Sequence, residues 1–162
     1  MRAGSRFADE INRYEGILLE IGGDELFVLF GDEDPARHVS KAISAALAIT
    51  RATHELTEEL GSAVPPIVMN MGINSGIASV GLHSVEASSG GRWRYGASGT
   101  VVNIAARVRE IASSGNILIT ADAASRVSTE FFFEDIGEHV LKNVSSPVRI
   151  CRVVCEPGIL PH

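Results

Sequence analysis

The stretch YGASGTVVNIAARVREIASSGNILIT, residues 95–120, decides the fold prediction for this chain. Its apolar spacing predicts a helix from about Thr100 to Ser113, followed directly by a strand. Asn103 and Arg107 are four residues apart, so they lie on one face of that helix. The helix start near Gly99 offers free backbone N–H groups and the positive end of the helix dipole. The stretch therefore predicts a helix–strand unit with a candidate anion site at the start of the helix.

The hydrophobic pattern on either side predicts further helices and strands in alternation. Two apolar runs flank Gly22-Gly23-Asp24 and predict a β-hairpin, because glycine supplies the positive φ that such a turn requires. Asp34 and Pro35 predict the start of a long helix that ends at Gly61. The other predicted segments are helices at 1–14 and 121–127, strands at 66–73, 77–82 (pairing with 66–73), 116–120, 131–135, 140–141 and 148–154, and a Gly/Ser-rich loop at 84–91. This order predicts an α+β fold with helices packed on one face of the sheet.

Length and composition narrow the class of protein. The 162 residues predict a single domain at 1–156, followed by a tail at 157–162. The net charge of −6 argues against a nucleic-acid partner, because phosphate-binding surfaces usually carry a basic excess. The chain has no apolar run near the roughly 18 residues of a membrane span, and no secretory signal. Cys151 and Cys155 would lie about 13 Å apart on a strand, too far for a disulfide, which favours free thiols in the cytoplasm.

Three stretches in series carry a resemblance to a known family: EGILLEIGGDELFVLFG (15–31), VMNMGINSGIASVG (68–81) and the stretch quoted above. Together with GEHVLKNVSSPVRICRV (137–153), they resemble the catalytic domain of class III nucleotidyl cyclases in the expected order. The resemblance implies a ferredoxin-like or palm-like antiparallel sheet with helices packed on it. It also implies that a purine nucleoside triphosphate is converted to a 3′,5′-cyclic nucleotide and pyrophosphate in intracellular signalling.

The resemblance implies roles for residues that would contact metal, ribose and phosphate. Asn103 matches the family residue that orients the ribose, and Arg107 matches the one that stabilises the pentavalent phosphorus. Asp24 matches the second metal-binding aspartate, which implies Mg²⁺ or Mn²⁺ as the cofactor. Lys142 matches a lysine that contacts the terminal phosphates, with a plain surface lysine as the alternative. Arg92 is a candidate for the triphosphate, or else a solvated loop arginine.

Two positions bear on which purine is bound. Adenylyl cyclases of the family have Lys at the position of Glu20, and Asp or Thr at the position of Gly96. A glutamate accepts hydrogen bonds from the N1–H and the amino group of guanine, so Glu20 favours GTP. Gly96 has no side chain to support either base, and Glu20 as an ordinary strand residue stays the alternative. The sequence leaves the choice between GTP and ATP open.

The chain departs from the family pattern in its metal site. The family has a first metal-binding aspartate on an opening strand, but only 23 residues precede Asp24 here. Asp9 is too close to Asp24 in sequence and lies in a helical pattern, so we do not expect it to bind metal. We therefore expect an N-terminally truncated domain, or a neighbouring segment or subunit in the place of that strand. After Lys142 the chain also has Asn143, where the family usually has glycine.

Two other functions compete with an active cyclase. Residues 22–26, GGDEL, resemble the GGDEF hairpin of diguanylate cyclases, although the NIAARV helix and the LKN–PVRI ending are not expected in that family. A degenerate cyclase-homology domain would instead act as a dimerising or nucleotide-sensing module. Class III sites form between two subunits, with metal residues from one and the Asn/Arg pair from the other. The resemblance therefore implies a homodimer with shared sites, and a fused or partner regulatory domain.

Overall fold

A computed structural model describes residues 3–21, 24–87 and 90–154, and describes side chains in these ranges except those of 3, 20–21 and 83–95. Its helices are α1 (Ala3–Arg13), α2 (Pro35–Leu60), α3 (Thr100–Ile111) and α4 (Ala121–Ser125), and a 3-10 turn, Gly61–Ala63, follows α2. Its strands are β1 (Ile17–Ile21), β2 (Leu26–Leu29), β3 (Met71–Ile73), β4 (Ser79–Ala87), β5 (Gly90–Ser98), β6 (Ile117–Thr120), β7 (Phe132–His139) and β8 (Val148–Val154). Strands β3, β6, β8 and β7 form one sheet in that order, and β1–β2 and β4–β5 form two hairpins.

The four-stranded sheet is mixed. Strand β3 runs parallel to β6, with Met71 opposite Ile117. Strand β8 runs antiparallel to both β6 and β7. The α+β prediction is confirmed, and one parallel pairing joins the antiparallel ones.

Helix α2 begins and ends at the residues that the sequence predicts. The Oδ1 of Asp34 accepts a hydrogen bond from the backbone N–H of Ala36 at 3.0 Å, and Pro35 is the first helical residue. Gly61 ends the helix at φ 70°, in the left-handed region that glycine adopts without strain. The buried side of α2 packs on one face of the sheet, where the shared core contains Val39, Ile43, Ala46, Leu47, Ile117, Ile119 and Val153.

Helix α3 covers the other face of the same sheet. Ile117 and Ile119 of β6 belong to the core under α2, while Leu118 between them packs with Val108 of α3. Successive strand residues point to opposite faces, so the two helices lie on opposite sides of β6. The prediction that the helices pack on one face is therefore wrong. The reason is that every residue of β6 is apolar or buried, which requires cover on both faces.

A close approach of backbones fixes α3 against β3. A Cβ atom built on Gly72 would lie 2.3 Å from the backbone nitrogen of Arg109 and 2.6 Å from the carbonyl oxygen of Ala105. No side chain fits at that distance, so glycine is required at this contact. The absence of a side chain lets the middle of α3 rest directly on the strand.

Helix α1 and the β1–β2 hairpin share a second core with the C-terminal half of α2. Phe7 and Ile11 of α1 are buried. They pack with Ile49, Ala52 and Leu56 of α2, and the hairpin adds Leu18, Leu26 and Val28. The predicted helix at the N-terminus and the predicted hairpin are both confirmed, although Gly22 and Gly23 of the turn lie outside the described residues.

The predictions between 66 and 98 are partly wrong. Strand β3 begins at Met71 and not at Pro66, which lacks the N–H group that a ladder needs. Its partner is β6 and not the segment 77–82. The segment predicted as a loop, 84–91, belongs to the antiparallel pair β4–β5, apart from residues 88 and 89, which are not described. Regular pairing along the two strands outweighs the low β-propensity of Gly, Ser and Ala.

The C-terminal segments are close to the prediction. Strands β7 and β8 contain the predicted 131–135 and 148–154 regions, except that β7 begins at Phe132. Residues 140–141 are not a strand; Leu141 is buried in the core under α3 and joins the loop to it. Cys151 is a free thiol, and burial raises its pKa. Cys155 and the predicted tail lie outside the described residues.

Candidate active site

Helix α3 presents Asn103 and Arg107 from a start that has no side-chain cap. Its N-cap residue, Gly99, has φ 130° and ψ 173°, a conformation that favours glycine. The carbonyl of Gly99 accepts the backbone N–H of Asn103 at 3.2 Å, which begins the helix. The side chain of Asn103 is exposed one turn later, and Arg107 follows it on the same face. The predicted helix and the shared face of these two residues are confirmed.

Asn74 fixes the first turn of α3 in place. Its Nδ2 donates to the carbonyl oxygen of Val101 at 3.1 Å, and its Oδ1 accepts from the hydroxyl of Thr120 at 2.7 Å. Asn74 comes directly after β3, and Thr120 is the last residue of β6. One amide therefore joins the ends of two neighbouring strands to the beginning of the helix. The sequence analysis missed this residue.

The guanidinium of Arg107 is paired within its own helix. Its Nη1 donates to both carboxylate oxygens of Glu110, at 2.8 and 2.9 Å. The hydrogen bond from Arg107 lowers the pKa of Glu110, and more distant positive charges, Arg109 and Lys142, add to the effect. The sequence analysis missed Glu110, although the i, i+3 spacing from Arg107 is a signal for such a pair.

Lys142 lies near the same face of α3. It is exposed in the loop between β7 and β8, close enough to Glu110 to act on its titration. The following residue, Asn143, has φ 63°, in the left-handed region. Asparagine tolerates this conformation better than most residues with a Cβ, which accounts for Asn at a position where glycine is expected. Lys142 is therefore near Glu110, and its contact with a substrate phosphate stays a prediction.

Asp24 lies on a different side of α3. It is exposed at the turn of the β1–β2 hairpin, and the next residue, Glu25, forms an ion pair with Arg109 of α3 at 2.8 Å between Oε1 and Nη2. Arg109 and Arg107 are two residues apart, so their side chains leave the helix about 200° apart. Within one chain the structure does not bring Asp24 to the face of Asn103 and Arg107.

Asp24 suits a divalent cation as a single ligand. It offers an exposed carboxylate at a turn, and Mg²⁺ is commonly held by one or two carboxylates with substrate phosphates and waters. Among the residues that the structure describes, no group of three or more His, Cys, Asp or Glu side chains could hold a metal ion. Glu25 is engaged by Arg109, and Asp9 is on α1. The described side chains therefore provide one ligand here and not a complete set.

The two residues that bear on purine choice lie on strands in contact with each other. Glu20 is on β1 opposite Phe27, next to a register irregularity, and Gly96 is on β5 opposite Gly81. Strands β1 and β5 contact each other. Arg92 is on β5 and not in a loop, opposite Val85. The side chains of Glu20 and Arg92 lie outside the description, so their predicted contacts stay predictions.

The chain resembles known proteins over nearly its whole length. The sequence profile of the adenylate and guanylate cyclase catalytic domain matches residues 4–150. The fold is similar to the crystal structure of the adenylyl cyclase CyaB from P. aeruginosa, at 26% identity and a TM-score of 0.86, over 98% of this chain and 81% of that one. It is similar to the guanylyl cyclase Cya2 at 26% identity and a TM-score of 0.75, with the same two coverages.

A more distant structure shares the fold alone. It is the guanylate cyclase domain of RhGC from Catenaria anguillulae in complex with GTP, at 18% identity and a TM-score of 0.76, over 94% of this chain and 80% of that one. None of the curated proteins matches the chain significantly. In the described ranges, no helix is long and apolar enough to cross a membrane.

Proposed function

The chain belongs to the adenylate and guanylate cyclase catalytic domain family, and on that premise we propose that it converts a purine nucleoside triphosphate to a 3′,5′-cyclic nucleotide with release of pyrophosphate. The observation that carries the proposal is the family match over residues 4–150, which includes α3 with Asn103 and Arg107 on one face. The same comparisons support a class III cyclase and not the diguanylate cyclase alternative.

Arg107 and Asn103 are the residues to which we assign the chemistry at phosphorus. The ribose 3′-oxygen attacks the α-phosphorus and loses its proton, while the bond from that phosphorus to the oxygen bridging to the β-phosphate breaks. Negative charge grows on the phosphoryl oxygens, and a guanidinium that donates hydrogen bonds to them stabilises the transition state. Arg107 is suited to this role, and the amide of Asn103, one turn nearer the start of α3, is suited to orient the ribose. Lys142 and Arg92 are proposed to contact the terminal phosphates.

A substrate phosphate that takes the Nη1 donor of Arg107 has to displace Glu110 from it. The pair is partly solvent-exposed, with 26% and 45% of the two side chains accessible. An exposed i, i+3 ion pair is weak and is screened by solvent, so a triphosphate with several charges can displace Glu110. The ion pair therefore orders the guanidinium of Arg107 without preventing its contact with a substrate.

We also propose a ligand for the metal ion, a second subunit that completes the site, and a preferred purine base. Asp24 would hold Mg²⁺ or Mn²⁺, which neutralises the triphosphate when bound. Asp24 and Arg107 are on different sides of α3, which supports a homodimer in which a second copy of the chain completes each site. Glu20 on β1 favours GTP over ATP, and Gly96 on the adjoining β5 supports neither base through a side chain. A single domain over 1–156, a regulatory partner domain and a cytoplasmic location stay predictions from the sequence.

A product assay tests this proposal. Purified protein is incubated with GTP or ATP and Mg²⁺ or Mn²⁺, and the products are resolved by mass. We expect a cyclic mononucleotide, more from GTP, and a loss of at least about a hundredfold for Arg107→Ala or Asn103→Ala. Arg126→Ala is the matched control, because Arg126 directly follows α4, has a similar side-chain exposure, 27%, and is likewise paired with a nearby carboxylate, that of Asp122.

Each other outcome has a definite meaning. A folded dimer that makes no cyclic nucleotide would show the degenerate, dimerising module, which the single described carboxylate at the metal site favours. Cyclic dinucleotide as the product would contradict both. An equal loss for Arg126→Ala and Arg107→Ala would mean that the loss reflects folding and not the site.

A further inference from the structure

A single ion pair ties the turn that carries Asp24 to helix α3. Glu25 follows Asp24 directly, and its Oε1 lies 2.8 Å from Nη2 of Arg109. We propose that Arg109, acting through Glu25, is a positioning residue that holds the carboxylate of Asp24 in place for a divalent cation. This inference rests on the proposed function, because it concerns the cation that the proposed site would bind.

The two ends of this ion pair differ in how firmly they are held. Arg109 has its backbone pressed against β3 at Gly72, so the base of its side chain cannot shift without moving the helix. The hairpin consists of two strands of five and four residues that pair only with each other among the described strands. Leu18, Leu26 and Val28 of the hairpin pack on α1 and α2, whereas Asp24 and Glu25 at its turn are exposed. The end of the hairpin at Asp24 therefore gains most from an external anchor.

The pair also decides which carboxylate is available to a cation. Asp24 and Glu25 are adjacent acids at one turn, and either could bind Mg²⁺. The guanidinium of Arg109 occupies Glu25 and neutralises it, which leaves Asp24 as the ligand of this turn. Arg109 thus favours both one position of the turn and Asp24 as its ligand.

The test must separate the effect of local charge on cation binding from the effect of the position of Asp24. Removal of Arg109 alone would leave Glu25 as an unpaired anion, which would itself attract cations. The double variant Glu25→Gln/Arg109→Gln keeps the net charge and removes the ion pair. The exchanged variant Glu25→Arg/Arg109→Glu keeps both the net charge and an ion pair. Asp135→Asn/Arg149→Gln is the matched control, because it neutralises an exposed ion pair between β7 and β8, away from this turn.

Binding of Mn²⁺ is measured by electron paramagnetic resonance in the presence of a GTP analogue that cannot cyclise. We expect Asp24→Asn to abolish protein-dependent binding and the double Gln variant to weaken it about two- to fivefold, the range for an exposed pair. The exchanged variant should return to within about twofold of wild type, like the control. Circular dichroism confirms that each variant is folded.

Cyclase activity is assayed in parallel, so that a failure of the proposed function can be distinguished from a failure of the positioning role of Arg109. Binding that follows this pattern in a protein without cyclase activity would support the positioning role and contradict the proposed function. An active enzyme in which the double Gln variant binds Mn²⁺ as tightly as the control would overturn the positioning role alone. Absence of Mn²⁺ binding by the wild type would also overturn it.

Discussion

Arg107 can donate hydrogen bonds to Glu110 or to a phosphate of the substrate. Its pairing with Glu110 can be measured through the pKa of that carboxyl group. In the free protein its guanidinium donates to both oxygens of Glu110. That hydrogen bond stabilises the ionised carboxylate, which is why the pKa of Glu110 lies below its ordinary value. The pair therefore stabilises the folded state above the ordinary pKa of a glutamate. The contribution is lost as the pH falls through the lowered value.

Replacement of Arg107 should change the pKa of Glu110. In Arg107→Gln we expect the pKa of Glu110 to rise, because the charged donor that favours its ionised form is gone. The carboxyl shift of Glu110 is followed by NMR across the acid range. Asp135 is the internal control, since the backbone N–H of Gly137 is the main cause of its lowered pKa and stays in place. An unchanged Glu110 titration would mean that the ion pair does not form in solution.

Helix α3 is the element on which the candidate site depends, and backbone contacts hold it. Gly72 lets the helix rest on β3, and Asn74 binds its first turn to the ends of β3 and β6. These contacts place the face of Asn103 and Arg107 relative to the sheet. A small change at the interface should therefore reduce both stability and turnover.

Gly72→Ala is the change that tests this dependence. The added methyl group would lie 2.3 Å from the backbone nitrogen of Arg109, so α3 must move outward. We expect a loss of about 1–3 kcal/mol in the free energy of unfolding, measured with urea, and a lower kcat. Gly31→Ala is the control, because a Cβ there meets no atom within 4 Å. Equal stability of the two variants would contradict the close packing of α3 on β3.

Elements that depend on local signals could be predicted from the sequence, and pairings between distant segments could not. Asp34, Pro35 and Gly61 mark the ends of α2 through backbone conformation and capping, which act within a few residues. The parallel pairing of β3 with β6 joins segments more than 40 residues apart, and no local pattern specifies it. The β4–β5 pair is local and was missed for another reason, because its Gly and Ser residues are typical of loops.

The candidate site divides in the same way. Asn103 and Arg107 share a face because helical periodicity alone places them there. Their partners depend on side-chain conformations and on packing, so the contacts of Glu110 with Arg107 and of Glu25 with Arg109 are visible only in the structure. The position of Asp24 on another side of the helix likewise follows from tertiary structure.

The whole molecule is therefore expected to work as a pair of chains, and mixed variants test this directly. Asp24 lies at the hairpin turn that pairs with Arg109, and Arg109 and Arg107 leave α3 about 200° apart, so we expect every complete site to take Asp24 from one copy and Arg107 from the other. Asp24→Asn and Arg107→Ala should each be inactive alone. A mixture of equal amounts should recover about a quarter of wild-type activity, since half of the dimers are mixed and each contains one intact site of two. The assay is cyclic nucleotide formation after the variants have been mixed and allowed to exchange subunits, with sedimentation to verify exchange.

Asn103→Ala mixed with Arg107→Ala is the control, because both changes lie in the same half of the site and the mixed dimer still has no complete site. Recovery in this control, or none in the first mixture despite exchange, would contradict shared sites and require both halves to come from one chain.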